Sequence, residues 1–123
     1  MTRTRLQVGE TGEKAARSYL EQLGYRIIEA NYRCRLGEID LIARDRETIV
    51  IVEVRTRTGR IFGGPEESIT AKKAHKLRRL ALYYLQSVCK LEVPSRIDLV
   101  AVLLDKKTHE VENLNHIRGI LSG

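Results

Sequence analysis

The stretch GEIDLIARDRETIVIVEVRTR (Gly37–Arg57) decides the fold. Two apolar runs, Gly37–Arg44 and Thr48–Arg55, flank a short polar turn around Asp45–Glu47, which is the pattern of a β-hairpin. Asp40, Glu53 and Arg55 interrupt those runs. With Arg46 and Glu47 as a two-residue turn, Asp45 faces Thr48 and Asp40 faces Glu53, with Cβ atoms about 5 Å apart on one face. A longer turn would shift that register. Strand alternation then sets Arg55 beside Glu53 and Glu38 opposite Arg55.

Two carboxylates opposed in a buried sheet repel each other, and burial raises the cost. A positive charge belongs between them. Spacing alone leaves two readings open. One is an Asp/Glu/Arg salt-bridge network at the sheet rim, built on Arg55. The other is a divalent cation: Mg²⁺ takes oxygen ligands, often one or two carboxylates with waters and substrate phosphates. Such a site suits phosphodiester hydrolysis, in which the metal polarises the phosphoryl group and activates water.

Outward from the hairpin, Ala15, Ala16, Tyr19, Leu20 and Leu23 recur at helical spacing, predicting a helix that starts near Gly9 or Thr11 and stops at Gly24. Tyr25–Tyr32 reads as a strand. After the hairpin comes a loop rich in glycine and arginine, RTRTGRIFGGPEES. Thr70–Val88 then reads as a long helix capped by Ser68 or Thr70. Pro94 breaks the chain, Arg96–Leu104 reads as a buried strand, and a last strand or edge falls near Val111–Ile117. The order α-β-β-β-α-β-β predicts an α/β or α+β domain with a central sheet flanked by helices. The long helix is a crossover, so the strands it joins should be parallel.

The chain has 123 residues, 42% hydrophobic and 31% charged, which fits one soluble globular domain. Boundaries are expected at a basic N-terminal tail (1–8), a single domain (9–118) and a C-terminal tail (119–123). No apolar run approaches the roughly 20 residues of a membrane span, and the N-terminus lacks a signal-peptide core, so a cytoplasmic protein is expected with no membrane partner. Cys34 and Cys89 form no CxxC pair, and His75, His109 and His116 lack metal-ligand spacing. The net charge of +6 favours polyanions, nucleic acid first.

Basic residues cluster near the hairpin. Lys72, Lys76 and Arg79 share one face of the long helix, and the loop adds Arg57 and Arg60. These suit phosphate contacts, which are salt-dependent and blind to sequence. A merely solubilising helix face is the competing reading. With one Phe, five Tyr and no Trp, a base-stacking platform has little support.

Asp40, twelve residues, then Glu53-x-Arg55 resembles the PD-(D/E)xK nuclease signature. GEKAA (12–16), NYRCRLGEIDLI (31–42), VEVRTR (52–57), FGGPEESIT (62–70) and RIDLV (96–100) together resemble the YraN family of small bacterial proteins, over about Gly9 to Ile117. That resemblance implies a restriction-endonuclease-like fold, a mixed sheet of about five strands similar to Holliday-junction resolvases. It implies Mg²⁺ or Mn²⁺ on Asp40 and Glu53, with the Val54 carbonyl as a further ligand. Glu13 falls where resolvase-like relatives carry a helical acidic ligand; otherwise it reads as a first-turn glutamate favoured by the helix dipole. Glu38, in the GEID motif, would tune Arg55 or position the loop.

One departure matters. The family usually has lysine where this chain has Arg55. Arginine stays charged and can clamp a phosphate, but it serves poorly as a general base. Lys73, or Lys72 as second choice, would supply an ammonium from the helix start.

The leading expectation is a metal-dependent endonuclease on branched or structured DNA, not reading sequence. The alternatives are a DNA-binding protein that keeps the fold but has weak or lost catalysis, and an interaction protein whose basic surface meets an acidic partner. Resolvases that cut two strands work as dimers, which leaves a homodimer open.

Overall fold

A computed structural model of the chain describes residues 5–59, 69–89 and 92–120. Arg60, Phe62 and Ser68 lie outside the described residues. The elements are α1 (Arg5–Gln22), β1 (Arg26–Cys34), β2 (Gly37–Asp45), β3 (Thr48–Thr58), α2 (Ala71–Tyr84, continued by a π turn Leu85–Cys89), β4 (Ser95–Leu104) and β5 (Val111–Ile117). The strands form one sheet in the order β1-β2-β3-β4-β5. All neighbours are antiparallel except β3 and β4, which the α2 crossover makes parallel. This is the mixed five-stranded α/β sheet expected of a restriction-endonuclease-like fold.

The helices cover opposite faces. On the α1 side, Ala16 and Leu20 pack with Leu41, Ala43, Val50, Val52, Val100 and Val102. On the α2 side, Leu80, Ala81 and Tyr84 pack with Ile39, Ile42, Ile49 and Ile51. Burying each such aliphatic side chain contributes about 1.5–3 kcal/mol. A sheet covered on both faces explains why the hairpin reads as nearly continuous apolar runs. Among the described residues no helix is long and apolar enough to cross a membrane.

β1 and β3 run past their expected ends, to Cys34 and Thr58, and both helices differ from the sequence reading. Helix α1 begins at Arg5, not near Gly9 or Thr11. Val8 packs against the core, and Thr11, one of the two expected starting points, lies inside the helix and returns its hydroxyl to the Gln7 carbonyl (2.9 Å). The α2 cap is Thr70, whose side chain accepts from the Lys73 N–H, and the regular helix ends at Tyr84, with the chain to Cys89 widening into the π turn.

Candidate active site

The hairpin turn has two residues, with Arg46 in the left-handed region (φ 58°), and Asp45 pairs with Thr48 as expected. The β2–β3 ladder runs from there to Leu41 and Val52. Beyond Val52, β3 keeps pairing with β4 as far as Thr58. The two hairpin strands therefore part where Asp40 and Glu53 would have faced each other. Asp40 Oδ2 accepts the Val54 N–H there (2.8 Å), a side chain taking the bond a ladder partner would have made.

Side-chain alternation also changes phase at this point. Ile39 packs on the α2 side, yet Leu41 and Ala43 pack on the α1 side. In β1, Ala30 lies on the α1 side and Tyr32 on the α2 side. The residues at the switch are Asp40 and Asn31, the latter at φ 54°. Asparagine tolerates that left-handed conformation better than most residues. Ala30 pairs with Leu41 and Tyr32 with Ile39, so Asn31 and Asp40 sit between two rungs.

Glu53 projects from β3 to the α2 side. Its carboxylate lies 3.7 Å from Lys73 Nζ and 3.8 Å from Arg55 Nε. These are ion-pair distances beyond hydrogen-bond reach, and the buried Arg55 Nε has no hydrogen-bond partner. Burial pushes the Glu53 carboxyl above its ordinary range and Asp40 pushes it further, against the pull of Lys73 and Arg55. Burial likewise raises Asp40; the Val54 N–H opposes that rise, Glu38 reinforces it, and Lys73 and Arg55 oppose it. Of the two lysines expected at the α2 start, Lys73 lies against Glu53, while Lys72 is exposed.

Glu13 arrives on α1. Gly12 allows the helix this close, because a Cβ there would collide with the Thr56 side chain. Asn31 Nδ2 donates to Glu13 Oε1 (2.9 Å). Burial and Asp40 raise the Glu13 carboxyl. Glu38 is not opposite Arg55: the strands have parted, and Glu38 pairs across β1 with Arg33 at 3.8 Å. Val54 meets Asp40 through its N–H. Arg57 is exposed near the end of β3, and its Nη1 donates to the Thr56 carbonyl at 3.4 Å. Lys76 and Arg79 are exposed on α2, with Lys76 folded over Gly37. The spacing pattern did not mark Asn31; an asparagine inside a strand-like run was the available signal.

Asp40 and Glu53 are the two oxygen donors best matched to Mg²⁺ or Mn²⁺, hard cations that complete their shells with water. Both are carboxylates whose ionisation the surrounding protein incompletely compensates. Among the described residues no three His, Cys, Asp or Glu side chains converge on one ion position; Glu13 is nonetheless near enough to Asp40 to feel its charge.

The profile of the Uncharacterised protein family UPF0102 matches residues 12–102. A UPF0102 protein of Moorella thermoacetica is 49% identical over 119 residues, covering 97% of this chain and 98% of the relative. One from Thermodesulfovibrio yellowstonii is 48% identical over 109 residues, 89% of this chain and 96% of the relative. A third, from Herpetosiphon aurantiacus, is 43% identical over 121 residues, covering 95% and 98%. The chain therefore belongs to the UPF0102 family, the YraN family that its motifs resemble.

Proposed function

We propose that this chain is a metal-dependent DNA endonuclease that hydrolyses phosphodiester bonds in branched or otherwise structured DNA without reading sequence. The observation that carries it is the parting of β2 from β3 at Asp40 and Glu53, with the Lys73 ammonium and the Arg55 guanidinium directed at the same place. Asp40 and Glu53 would hold Mg²⁺ or Mn²⁺, which when bound supplies Lewis acidity and an activated water. Asp40 is oriented by the Val54 N–H, so its free rotation is restricted. Lys73 brings a compact ammonium on the first turn of α2, suited to orienting a water or meeting charge that builds on the phosphate. Arg55 offers a planar fork for non-bridging oxygens.

The test is cleavage of labelled junction, flap and linear DNA with titrated Mn²⁺ and Mg²⁺. Nicking by the unaltered protein, lost in Asp40→Ala/Glu53→Ala, is expected. A product equal to that of the double variant across all substrates removes the reading. A second reading, DNA binding with weak or lost catalysis, is favoured by Arg55, which stands at the lysine position of the PD-(D/E)xK signature that the chain resembles. It predicts salt-dependent binding with no metal-dependent product.

A further inference from the structure

Between α1 and the opened end of the sheet lies a cleft of about 1110 Å³ on the face opposite α2. Arg5, Lys14 and Arg17 of α1, Arg33 of β1 and Arg57 of β3 line it, and Glu13 and Asp40 reach it from the candidate active site. The sequence reading set the cationic surface on α2 and at Arg57 and Arg60 of the loop; of these, Arg57 lines the cleft. Cations around an acidic floor suit a polyanion that bridges from one to the other, because each neutralised phosphate releases counterions.

The same cleft is lined by His109, from the turn between β4 and β5. That turn is heavily determined. Asp105 Oδ1 accepts the N–H groups of Lys107 and Thr108 (both 2.8 Å), and the Asp105 carbonyl accepts that of His109 (2.9 Å). Gly59 N–H, at the end of β3, donates to the Leu104 carbonyl and ties the turn to the sheet (3.1 Å). His109 is held at φ 60°, a conformation few non-glycine residues adopt. Its Nδ1 is buried yet has no hydrogen-bond partner. Buried polar atoms are nearly always bonded, so this one is an unmet donor or acceptor.

We propose that this cleft grips one DNA strand by its phosphodiester backbone, leading it from Asp40 to the His109 ring, which rotates to offer its unpartnered Nδ1 to a phosphate oxygen at the far end. The proposal rests on the endonuclease reading in taking DNA as the ligand. It is tested by fluorescence anisotropy with single-stranded and junction DNA, without metal, between 50 and 200 mM salt. Lys14→Ala/Arg17→Ala should lower the magnitude of the log–log salt slope by about 2, roughly one per phosphate contact. Lys72→Ala/Lys76→Ala should leave it nearly unchanged. His109→Ala should weaken binding about threefold to tenfold, the range for one lost hydrogen bond, and His109→Gln, which keeps a donor, should recover most of that. If the α2 pair carries the loss and the cleft pair does not, or if His109→Ala binds as tightly as the unaltered protein, the strand path is wrong and DNA cleavage remains open. No binding by the unaltered protein overturns both.

Discussion

Among the described residues, Glu53 and Asp98 are the buried charged side chains, 8% and 0% exposed, on neighbouring parallel strands. Their surroundings are opposite. Asp98 is saturated: His116 Nε2 at 2.8 Å, Arg96 Nε at 3.0 Å and the Gly119 N–H at 3.0 Å. Around it, Arg96 also reaches the Tyr25 hydroxyl at 2.6 Å and Asp45 at 3.3 Å, and the other ring nitrogen of His116 meets the Tyr19 hydroxyl at 3.3 Å. Burial alone would raise the Asp98 carboxyl, but the His116, Gly119 and Arg96 bonds hold it below its usual range. Glu53 has cations only at 3.7 and 3.8 Å, a second carboxylate nearby, and a raised pKa. A carboxylate that joins elements is fully bonded, whereas Glu53 keeps bonding capacity in reserve, as the proposed metal ligation requires.

The largest expected effect tests the saturated side. Asp98→Ala strands the Arg96 and His116 network and should cost about 3–5 kcal/mol in urea unfolding, as breaking a buried pair does. A loss under about 1 kcal/mol would show that the network does not hold the fold. A smaller effect is expected at Thr70, which caps the turn carrying Lys73. Thr70→Ala should lower stability by about 1 kcal/mol and reduce cleavage by loosening Lys73. Unchanged cleavage alongside the lost stability would separate Lys73 from the chemistry.

The smallest effect has the opposite sign. Glu53→Gln should stabilise the protein at pH 7 by about 0.2–1 kcal/mol, the scale of a relieved like-charge pair, while abolishing cleavage. The raised pKa gives the pH dependence. Between the ordinary glutamate range and the raised value, the folded chain holds a proton that the unfolded chain has released, so stability falls as pH rises through that window. Glu53→Gln should flatten this decline. Asp98 behaves the other way: its stabilisation is present above the ordinary aspartate range and fades as pH drops toward its lowered value. Thermal melts from pH 3 to 8 separate the two; a Glu53→Gln profile parallel to the unaltered one would contradict the account of Glu53.

The register of the hairpin was legible from Asp45–Thr48 to Leu41–Val52 because a two-residue turn at Arg46–Glu47 fixes it; the parting beyond, at Asp40 and Glu53, was not. Lys73 was legible as a cation at the start of a capped helix. The position of Glu38 was not. Strict alternation carried it across to Arg55, but the phase change at Asn31 and Asp40 leaves no mark on apolar periodicity, because strands covered on both faces are apolar on both. Asp98 appeared in RIDLV only as part of a buried strand; beyond neighbouring Arg96, its partners His116 and Gly119 lie past β4 and reach it only through the sheet order. Nor could periodicity show that Lys14 and Arg17 would overlook the acidic residues, since Gly12 had first to set the approach of α1.

The order in which the acid's partners are synthesised has a consequence for assembly. His116 and Gly119 follow Asp98 by 18 and 21 residues. While β4 emerges from the ribosome, only Arg96 is available to it, and an incompletely compensated aspartate resists being sealed between helix and sheet. Docking of β5 is therefore expected to be the last, committing event of biogenesis, so that a chain truncated before His116 stays open to proteases instead of persisting as a half-built domain.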